Sequence, residues 1–399
     1  MAPVPNRLTH TLTDQSSNPS STTATRRQPP VKETIMSILR ARPHSAGPRS
    51  RALRLAGAAV ATAAAISLTA CGSGDSAGSD GKVDVVLGWV IQPEFASVYA
   101  AEALGYYDEA GLDVTIKPGG PEVNAEQLVG AGSAQFGVDN GSNVFLSNDV
   151  GTGLVTLAQL EQETSLRLVS RAADGLQGPE TWAGKRIGVW SSANSLYASL
   201  AKHDIDKDTD VTLVEQGFDM SQFLNGEIDM ASAYGYNEVG QILQAGVPMS
   251  DLTIYDYADD STATLGLQLF GNGEFVEAEP EKAADFTAAT IRGQVYCRDN
   301  PEECVDFVSD AGASIDRDFM LWQMNEVNRS VWSTEVPIGT LDRNSYQQTA
   351  DVLTGTGVIE NQPDLDAVMG TEIYDAAVAK LTDIDLTNTG FAPKENLVP

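Results

Sequence analysis

Aromatic, amide and acidic side chains collect at two points where a short apolar segment of the chain ends. One group is residues 139–142 (Asp-Asn-Gly-Ser), and the other is residues 234–238 (Tyr-Gly-Tyr-Asn-Glu). Each apolar segment reads as a buried strand that follows a helix stopped by a glycine, Gly132 or Gly226. In open α/β sheets, ligands bind beyond the carboxyl ends of the strands. Two such tips facing each other would form a cleft.

The aromatic and polar residues at these and other strand ends are the candidate ligand contacts. Flat aromatic faces suit a planar heterocycle, which stacks on them at low entropy cost. The Glu238 carboxylate can accept hydrogen bonds from an amino group and a ring N–H, or it can instead cap the helix that follows. An anion would require Arg or Lys at the tips. The candidates, each of which could alternatively pack in a core, are Trp89, Glu94, Phe95, Asn140, Ser142, Trp190, Asn194, Tyr234, Tyr236, Asn237 and Glu238.

Residue types that serve metal binding and nucleophilic catalysis are scarce. Beyond residue 70 the chain has one histidine, His203, in a polar stretch typical of a surface. No metal cluster, histidine-based triad or phosphate loop can be assembled from this sequence. We therefore expect a protein that is not an enzyme and that needs neither metal nor cofactor. The alternative is an enzyme that works with carboxylates alone.

The amino-terminal segment has the features of an export signal. Arginines between residues 40 and 54 precede an uncharged, Ala- and Leu-rich stretch that is too short for a comfortable membrane span. It ends in Leu-Thr-Ala followed by Cys71, and this four-residue sequence resembles a bacterial lipobox. We expect residues 1–70 to be a leader with a lipoprotein signal peptide, Cys71 to carry lipid, and residues 71–82 to form a flexible tether. The alternative is an ordinary signal peptide, and Met36 is an alternative start.

The remaining composition restricts the partners and the redox state. The 399 residues carry a formal charge of -30, and removing the basic leader makes the balance more negative still, which disfavours nucleic acid and anionic lipid. Cys297 and Cys304 lie on either side of a predicted turn between two helices. Because an exported compartment favours oxidation, we expect them to form a disulfide; two free thiols are the alternative.

Strands that alternate with crossover helices predict an α/β protein. Within this pattern several segments resemble the solute-binding proteins of ABC importers, in the branch that serves thiamine pyrimidine precursors, riboflavin, sulfonates, taurine and nitrate. The resemblance covers most of residues 83–375. The segments that carry it are Gly88-Trp89, Gly105-Tyr106-Tyr107, Gly111-Leu112-Asp113-Val114, Gly132-Ser133-Ala134-Gln135-Phe136-Gly137, Trp182-Ala183-Gly184-Lys185-Arg186-Ile187-Gly188-Val189 and Tyr234-Gly235-Tyr236-Asn237-Glu238.

This resemblance implies a two-lobed periplasmic-binding-protein fold with a discontinuous first lobe and a ligand cleft between the lobes. Lobe 1 would comprise residues 83–173 and 264–399, and lobe 2 residues 174–263. The chain would be a monomer, anchored outside the cytoplasm, that delivers a small nitrogen heterocycle to an ABC permease. A thiamine pyrimidine precursor and a riboflavin-like molecule both remain open, and a ligand such as sulfonate, taurine or nitrate is the alternative.

Overall fold

The computed structural model describes residues 81–161, 164–190, 193–395, 397 and 399. The expected leader, the lipid-bearing Cys71 and nearly all of the expected tether lie outside these residues. Among the described residues, no helix has the length and apolar character needed to cross a membrane.

Ten strands form two separate five-stranded sheets. The first sheet has the order β2-β1-β3-β10-β4, and the second has the order β7-β6-β8-β5-β9. In chain order the strands are β1 (Lys82–Leu87), β2 (Asp113–Lys117), β3 (Phe136–Asn140), β4 (Leu154–Gln159), β5 (Leu166–Arg171), β6 (Arg186–Val189), β7 (Thr212–Glu215), β8 (Met230–Tyr234), β9 (Leu252–Asp256) and β10 (Leu267–Asn272).

The two sheets share one pairing pattern. In the first, β1 lies parallel to both β2 and β3, and β10 runs antiparallel to β3 and β4. In the second, β6 lies parallel to both β7 and β8, and β5 runs antiparallel to β8 and β9. We call the first sheet with its helices the first lobe, and the second sheet with its helices the second lobe. Strands β3 and β8 therefore occupy equivalent positions.

The two helix–glycine–strand–tip segments are confirmed. Gly132 and Gly226 both adopt left-handed backbone angles, with φ of 71° and 73°, which glycine reaches without steric cost. Each is followed within a few residues by its buried strand, β3 or β8. The polar tips therefore emerge at the same position in the two sheets.

The expected boundary after residue 173 is wrong. Residues Leu166–Arg171 form β5, which pairs with β8 and β9 and so belongs to the second sheet. The chain consequently passes from the first lobe to the second between Gln159 and Leu166. It returns between Asp256 and Leu267. The pairing of β5 with β8 and β9 joins strands that are distant in sequence, which no local pattern of residues specifies.

Fourteen α-helices cover the sheets of the described chain. The last two helices are separated at Gly370, which donates its N–H to the carbonyl of Thr156 at 2.8 Å. The helices are α1 (Ala96–Ala103), α2 (Tyr106–Glu109), α3 (Ala125–Gly130), α4 (Gly141–Asp149), α5 (Asn194–Lys202), α6 (Ser221–Leu224), α7 (Glu238–Gln244), α8 (Gly273–Ala278), α9 (Pro280–Asp299), α10 (Pro301–Asp310), α11 (Arg317–Val331), α12 (Arg343–Gly355), α13 (Leu365–Val368) and α14 (Thr371–Val378).

Each lobe has its own apolar core. In the first lobe, Phe286 of α9 stacks on Phe136 of β3 at 4.0 Å between ring centroids and on Tyr107 at 5.0 Å. In the second lobe, the fully buried Trp182 packs edge-on against Tyr255 of β9. Separate cores let the lobes behave as rigid bodies that move about the two crossings.

Helix α11 follows the first lobe in sequence but also packs on the second. Its Phe319 and Trp322 are buried in the second lobe's core, next to Gly240 of α7. A Cβ at Gly240 would lie 2.4 Å from the Trp322 ring, so this contact leaves no space for a side chain. Trp322 therefore packs between the two helices and has a structural role.

Candidate functional site

A small cavity of about 30 Å³ lies where the tips of β3 and β8 meet. Residues of both lobes line it, which places it in the cleft. This volume is far below that of a typical small-molecule pocket, so the two tips lie close together in this structure. Four of the lining residues were predicted from the sequence, namely Asn140, Ser142, Asn194 and Tyr234, and six were not, namely Asn143, Thr164, Leu166, Ser195, Thr264 and Leu265.

A hydrogen bond spans the cleft between the two tips. The Asn140 side-chain amide donates to the Tyr234 hydroxyl at 3.1 Å. Asn140 is the last residue of β3 and Tyr234 is the last residue of β8, so equivalent ends of the two sheets meet. The expectation that the tips face each other is confirmed. Asp139 orients Asn140, because its Oδ1 accepts a bond from the Asn140 backbone N–H at 2.6 Å.

Three aromatic rings form a stack on the second-lobe side of the cleft. The Trp190 and Tyr234 ring centroids are 5.9 Å apart with the planes 16° from parallel. Tyr234 and Tyr236 are 5.4 Å apart at 27°. Trp190 follows β6 directly, and its ring N–H contacts the carbonyl of Gly217 at 3.4 Å. The stack presents flat faces of the kind on which a planar ligand can lie.

Residues 234–238, which we call the 234–238 turn, are held together by Glu238. Its Oε2 accepts the Tyr234 backbone N–H at 2.8 Å, and its Oε1 accepts the Asn237 side-chain amide at 2.8 Å. Burial raises the pKa of Glu238 to about 7, against the lowering effect of these hydrogen bonds. Both carboxylate oxygens are therefore already engaged by the protein.

Glu94 reaches the same region from the first lobe. It lies in a short 3₁₀ segment, Pro93–Phe95, and is 7% exposed. Burial raises the pKa of Glu94 to about 8, although the nearby polar side chains of Tyr236 and Gln92 act to lower it. The nearby carboxylates of Asp139 and Glu238 raise it further. This buried acid thus faces a tyrosine of the opposite lobe.

The remaining aromatic candidates lie away from the cavity. Phe95 is buried in the first lobe's core, with 1% exposed, and has the packing role left open for it. The ring centroid of Trp89 lies 5.6 Å from that of Phe218, a residue of the second lobe. Phe218 is 64% exposed. Phe218 was not among the candidates predicted from the sequence. It follows strand β7, and an aromatic residue near a strand end was the signal that could have identified it.

Buried acids that the sequence did not single out surround the tips. Burial raises the pKa of Glu126 to about 9 and also raises the pKa of Asp139, and the charge of Asp139 raises the pKa of Glu126 further. Glu161, at the first crossing, accepts the backbone N–H groups of Ser165 at 2.9 Å and Leu267 at 3.2 Å. It thereby joins the outgoing and returning crossings. Of these buried acids, Asp139 could have been identified from the sequence, because it directly precedes Asn140 in the predicted tip.

Other sequence predictions have the following outcomes. The serines 191 and 192 ahead of α5 lie outside the described residues. Asn194, the first residue of α5, is buried and lines the cavity. His203 is bound to Asp260 at 2.9 Å in the second lobe and does not line the cavity. Within the described part of the chain, no group of three His, Cys, Asp or Glu side chains is placed to hold a metal ion.

Two α/β lobes with equivalent strand orders, two crossings and a cleft at the strand tips define the periplasmic-binding-protein fold. The aliphatic sulphonate binding protein SsuA of Escherichia coli has this fold, with a TM-score of 0.57 at 12% identity over 72% of this chain and 92% of that one. The chain belongs to the NMT1/THI5-like family, whose model matches residues 92–304.

Two curated relatives are similar over most of their length. The riboflavin-binding protein RibY of Chloroflexus aurantiacus is 23% identical over 313 residues, which cover 73% of this chain and 85% of that protein. The 4-amino-5-hydroxymethyl-2-methylpyrimidine phosphate synthase THI13 of Saccharomyces cerevisiae is 25% identical over 249 residues, which cover 57% and 72%. The family thus includes relatives named as a binding protein and as a synthase.

Proposed function

We propose that this chain is the extracytoplasmic solute-binding component of an ABC importer, anchored by lipid at Cys71. In this function its two lobes close over a small flat nitrogen heterocycle and present it to a permease. The observation that carries the proposal is the cleft, in which Asn140 of one lobe meets Tyr234 of the other beside an aromatic stack. Opening at the two crossings would expose this stack to the ligand.

The charge of the cleft supports a heterocycle over an anion. None of the ten described lining residues is basic, whereas Glu94, Asp139 and Glu238 lie close by. Arg167, next to the lining residue Leu166, is paired with Asp256 at 2.9 Å. A sulfonate or nitrate would meet carboxylates without a free cation among those residues. The names of the relatives agree, since a flavin and an aminopyrimidine are both flat and rich in nitrogen.

A synthase activity is the second candidate, because several similar proteins are named as pyrimidine phosphate synthases. In the described residues both cysteines are joined in a disulfide, and the histidine is bound to Asp260 on the second lobe. A catalytic site in the cleft would therefore depend on carboxylates. Carboxylates alone support fewer kinds of catalytic step than a site that also has a free thiol or imidazole.

Calorimetry with an aminopyrimidine, riboflavin, taurine and nitrate tests the proposal, with mass spectrometry of the ligand afterwards. We expect stoichiometric binding of one heterocycle and recovery of the unchanged ligand. Tyr234→Phe keeps the ring but removes the acceptor for Asn140, and it should weaken binding by about 0.5–1.5 kcal/mol. Tyr255→Phe, which loses hydroxyl contacts with Ser199 and Asp260 within the second lobe and none across the cleft, is the matched control.

Two results would contradict the proposal. Tight binding of taurine or nitrate, with no response to either heterocycle, would establish an anion carrier. Conversion of the heterocycle to a new product would establish an enzyme. Unchanged affinity in Tyr234→Phe would show that the hydrogen bond between the tips does not contribute to ligand binding.

A further inference from the structure

The side chain of Glu161 bonds to one backbone segment of each lobe. Its Oε1 accepts the N–H of Ser165, which directly precedes β5 of the second lobe, at 2.9 Å. Its Oε2 accepts the N–H of Leu267, the first residue of β10 in the first lobe, at 3.2 Å. The backbone N–H of Glu161 also donates to the Leu267 carbonyl at 3.0 Å. A single buried carboxyl group therefore holds the outgoing and returning crossings together.

The backbone next to this carboxyl group leaves it just enough space. A Cβ on Gly266 would lie 2.3 Å from Oε2 of Glu161, so a side chain at this position would displace the carboxyl group. Gly266 does not have the left-handed backbone angles that favour glycine. The close approach of Glu161, rather than the local backbone conformation, is therefore what requires a glycine here.

Each segment that Glu161 holds is bonded in turn to one of the two tips. The Gly266 carbonyl accepts the N–H of Gly141, in the tip of β3, at 2.8 Å. The Ser165 carbonyl accepts the N–H of Gly235, in the 234–238 turn, at 2.9 Å. One further backbone hydrogen bond on each side thus connects the carboxyl group to the tips. The residues beside these bonds line the cavity, namely Thr164, Leu166, Thr264 and Leu265.

We propose that Glu161 is a positioning residue that sets the separation of the two tips and thereby the affinity of the cleft for its ligand. Because each oxygen bonds to a different lobe, the geometry of one carboxyl group fixes the distance between Ser165 and Leu267. A binding site must hold its contacts to within about 0.5 Å, so a small shift at this link affects the ligand. The effect on affinity rests on the proposed function, whereas the link from the crossings to the tips does not depend on any ligand.

Hydrogen–deuterium exchange of the full chain, read by mass spectrometry of peptides, tests the link without a ligand. Glu161→Gln keeps the shape of the side chain but has one acceptor oxygen, so it loses one of the two bonds. We expect exchange in both tips, residues 139–142 and 234–238, to become faster by about twofold to tenfold, the range that one lost hydrogen bond gives. Gly266→Ala, which keeps Glu161 but pushes its carboxyl group away, should give the same pattern.

Asp342→Asn is the matched control for the exchange experiment. Its carboxylate also accepts two backbone N–H groups, those of Asn344 at 3.4 Å and Ser345 at 3.0 Å, but all three residues lie at the start of α12 in the first lobe. We expect faster exchange there and no change in either tip. Faster exchange confined to the crossings in Glu161→Gln and Gly266→Ala would show a purely local role and would overturn the proposal.

Calorimetry with riboflavin and an aminopyrimidine as probes measures the effect of the same variants on binding. We expect the Kd of the probe that binds to rise roughly tenfold in Glu161→Gln and in Gly266→Ala, and to keep its wild-type value in Asp342→Asn. A wild-type Kd in both crossing variants would contradict a positioning role. Wild-type protein that bound neither probe would count against the proposed function instead, and the exchange pattern would still decide the role of Glu161.

Discussion

At the level of single residues, Glu238 has a different environment from the one its sequence position suggests. The sequence predicts a carboxylate that faces a ligand's donor edge, with helix capping as the alternative. The structure shows both oxygens bound to donors of the preceding turn, Tyr234 N–H and the Asn237 amide. Any contact with a ligand would have to share these oxygens. Glu238 is thus a positioning residue for the aromatic stack.

Glu238→Gln should therefore lower stability as well as affinity. A glutamine has one acceptor oxygen, so its NH₂ group would face either the Tyr234 N–H or the Asn237 amide. We expect a loss of about 1–3 kcal/mol in the free energy of unfolding from the lost hydrogen bond. Above pH 7 the loss should be smaller, because the variant no longer buries a charge. Urea unfolding measures it, with the exposed Glu277→Gln as control. Wild-type stability combined with lost affinity would favour direct ligand contact instead.

At the level of elements, the junction of α9 and α10 is covalently closed. Cys297 and Cys304 form a disulfide with a Cα–Cα distance of 5.5 Å, and both are fully buried. Asn300 separates the two helices, and its carbonyl accepts the Cys304 N–H at 3.1 Å. The disulfide thus fixes the angle at which α10 leaves the long helix of the first lobe.

Replacing both cysteines by alanine should destabilise the first lobe by roughly 2–3 kcal/mol, because the disulfide closes only a short loop in the unfolded chain. Thermal unfolding of wild type and variant measures the difference. The wild type in reducing agent provides a control without mutation. Non-reducing peptide mapping of exported protein should recover the linked pair, and alkylation of both thiols there would contradict the prediction.

Asp260 ties the helix α5 to the segment that follows β9. It accepts a hydrogen bond from Ser199 at 2.7 Å, contacts His203 at 2.9 Å and pairs with Lys202 at 3.2 Å. Burial acts to raise its pKa, but the hydrogen bonds from His203, Ser199, Tyr255 and Lys202 outweigh burial and lower the pKa to about 2. The ionised carboxylate is therefore the form that stabilises the second lobe.

This lowered pKa predicts an acid-dependent loss of stability. The contribution of Asp260 is present above pH 4 and is lost as the pH falls through about 2. Asp260→Asn should cost about 1–2 kcal/mol at pH 7, a value reduced by solvent because Lys202 and His203 are partly exposed. Guanidinium unfolding at pH 7 and at pH 3 should show a smaller difference at pH 3. Equal differences at both values would contradict the prediction.

At the level of the whole molecule, the proposed function includes a lipid anchor at Cys71. Cys71 lies outside the described residues, and its lipidation is a prediction from the segment that precedes it. Cys71→Ala should yield an unprocessed or soluble protein, since more than one acyl chain is needed for stable membrane attachment. Fractionation of cells and mass spectrometry of the amino terminus measure this. Unchanged membrane association in the variant would contradict it.

The sequence by itself determined the fold class and the two matching tips. Both depend on local signals, namely the period of apolar residues, the glycines 132 and 226, and the polar residues that directly follow a buried strand. These signals placed Asn140 and Tyr234 correctly at equivalent strand ends. The pairing of Cys297 with Cys304 was also predicted, because the two cysteines flank a predicted turn and an exported compartment favours oxidation.

The tertiary structure alone decided which side chains meet. Thr264 and Leu265 line the cavity, and β5 joins the second sheet, because strands distant in sequence pair there. Whether Glu238 binds its own turn or a ligand depends on the path of a few backbone atoms, which no residue pattern specifies. The contacts between the lobes depend on how two rigid bodies close, and this arrangement is set by packing over the whole interface.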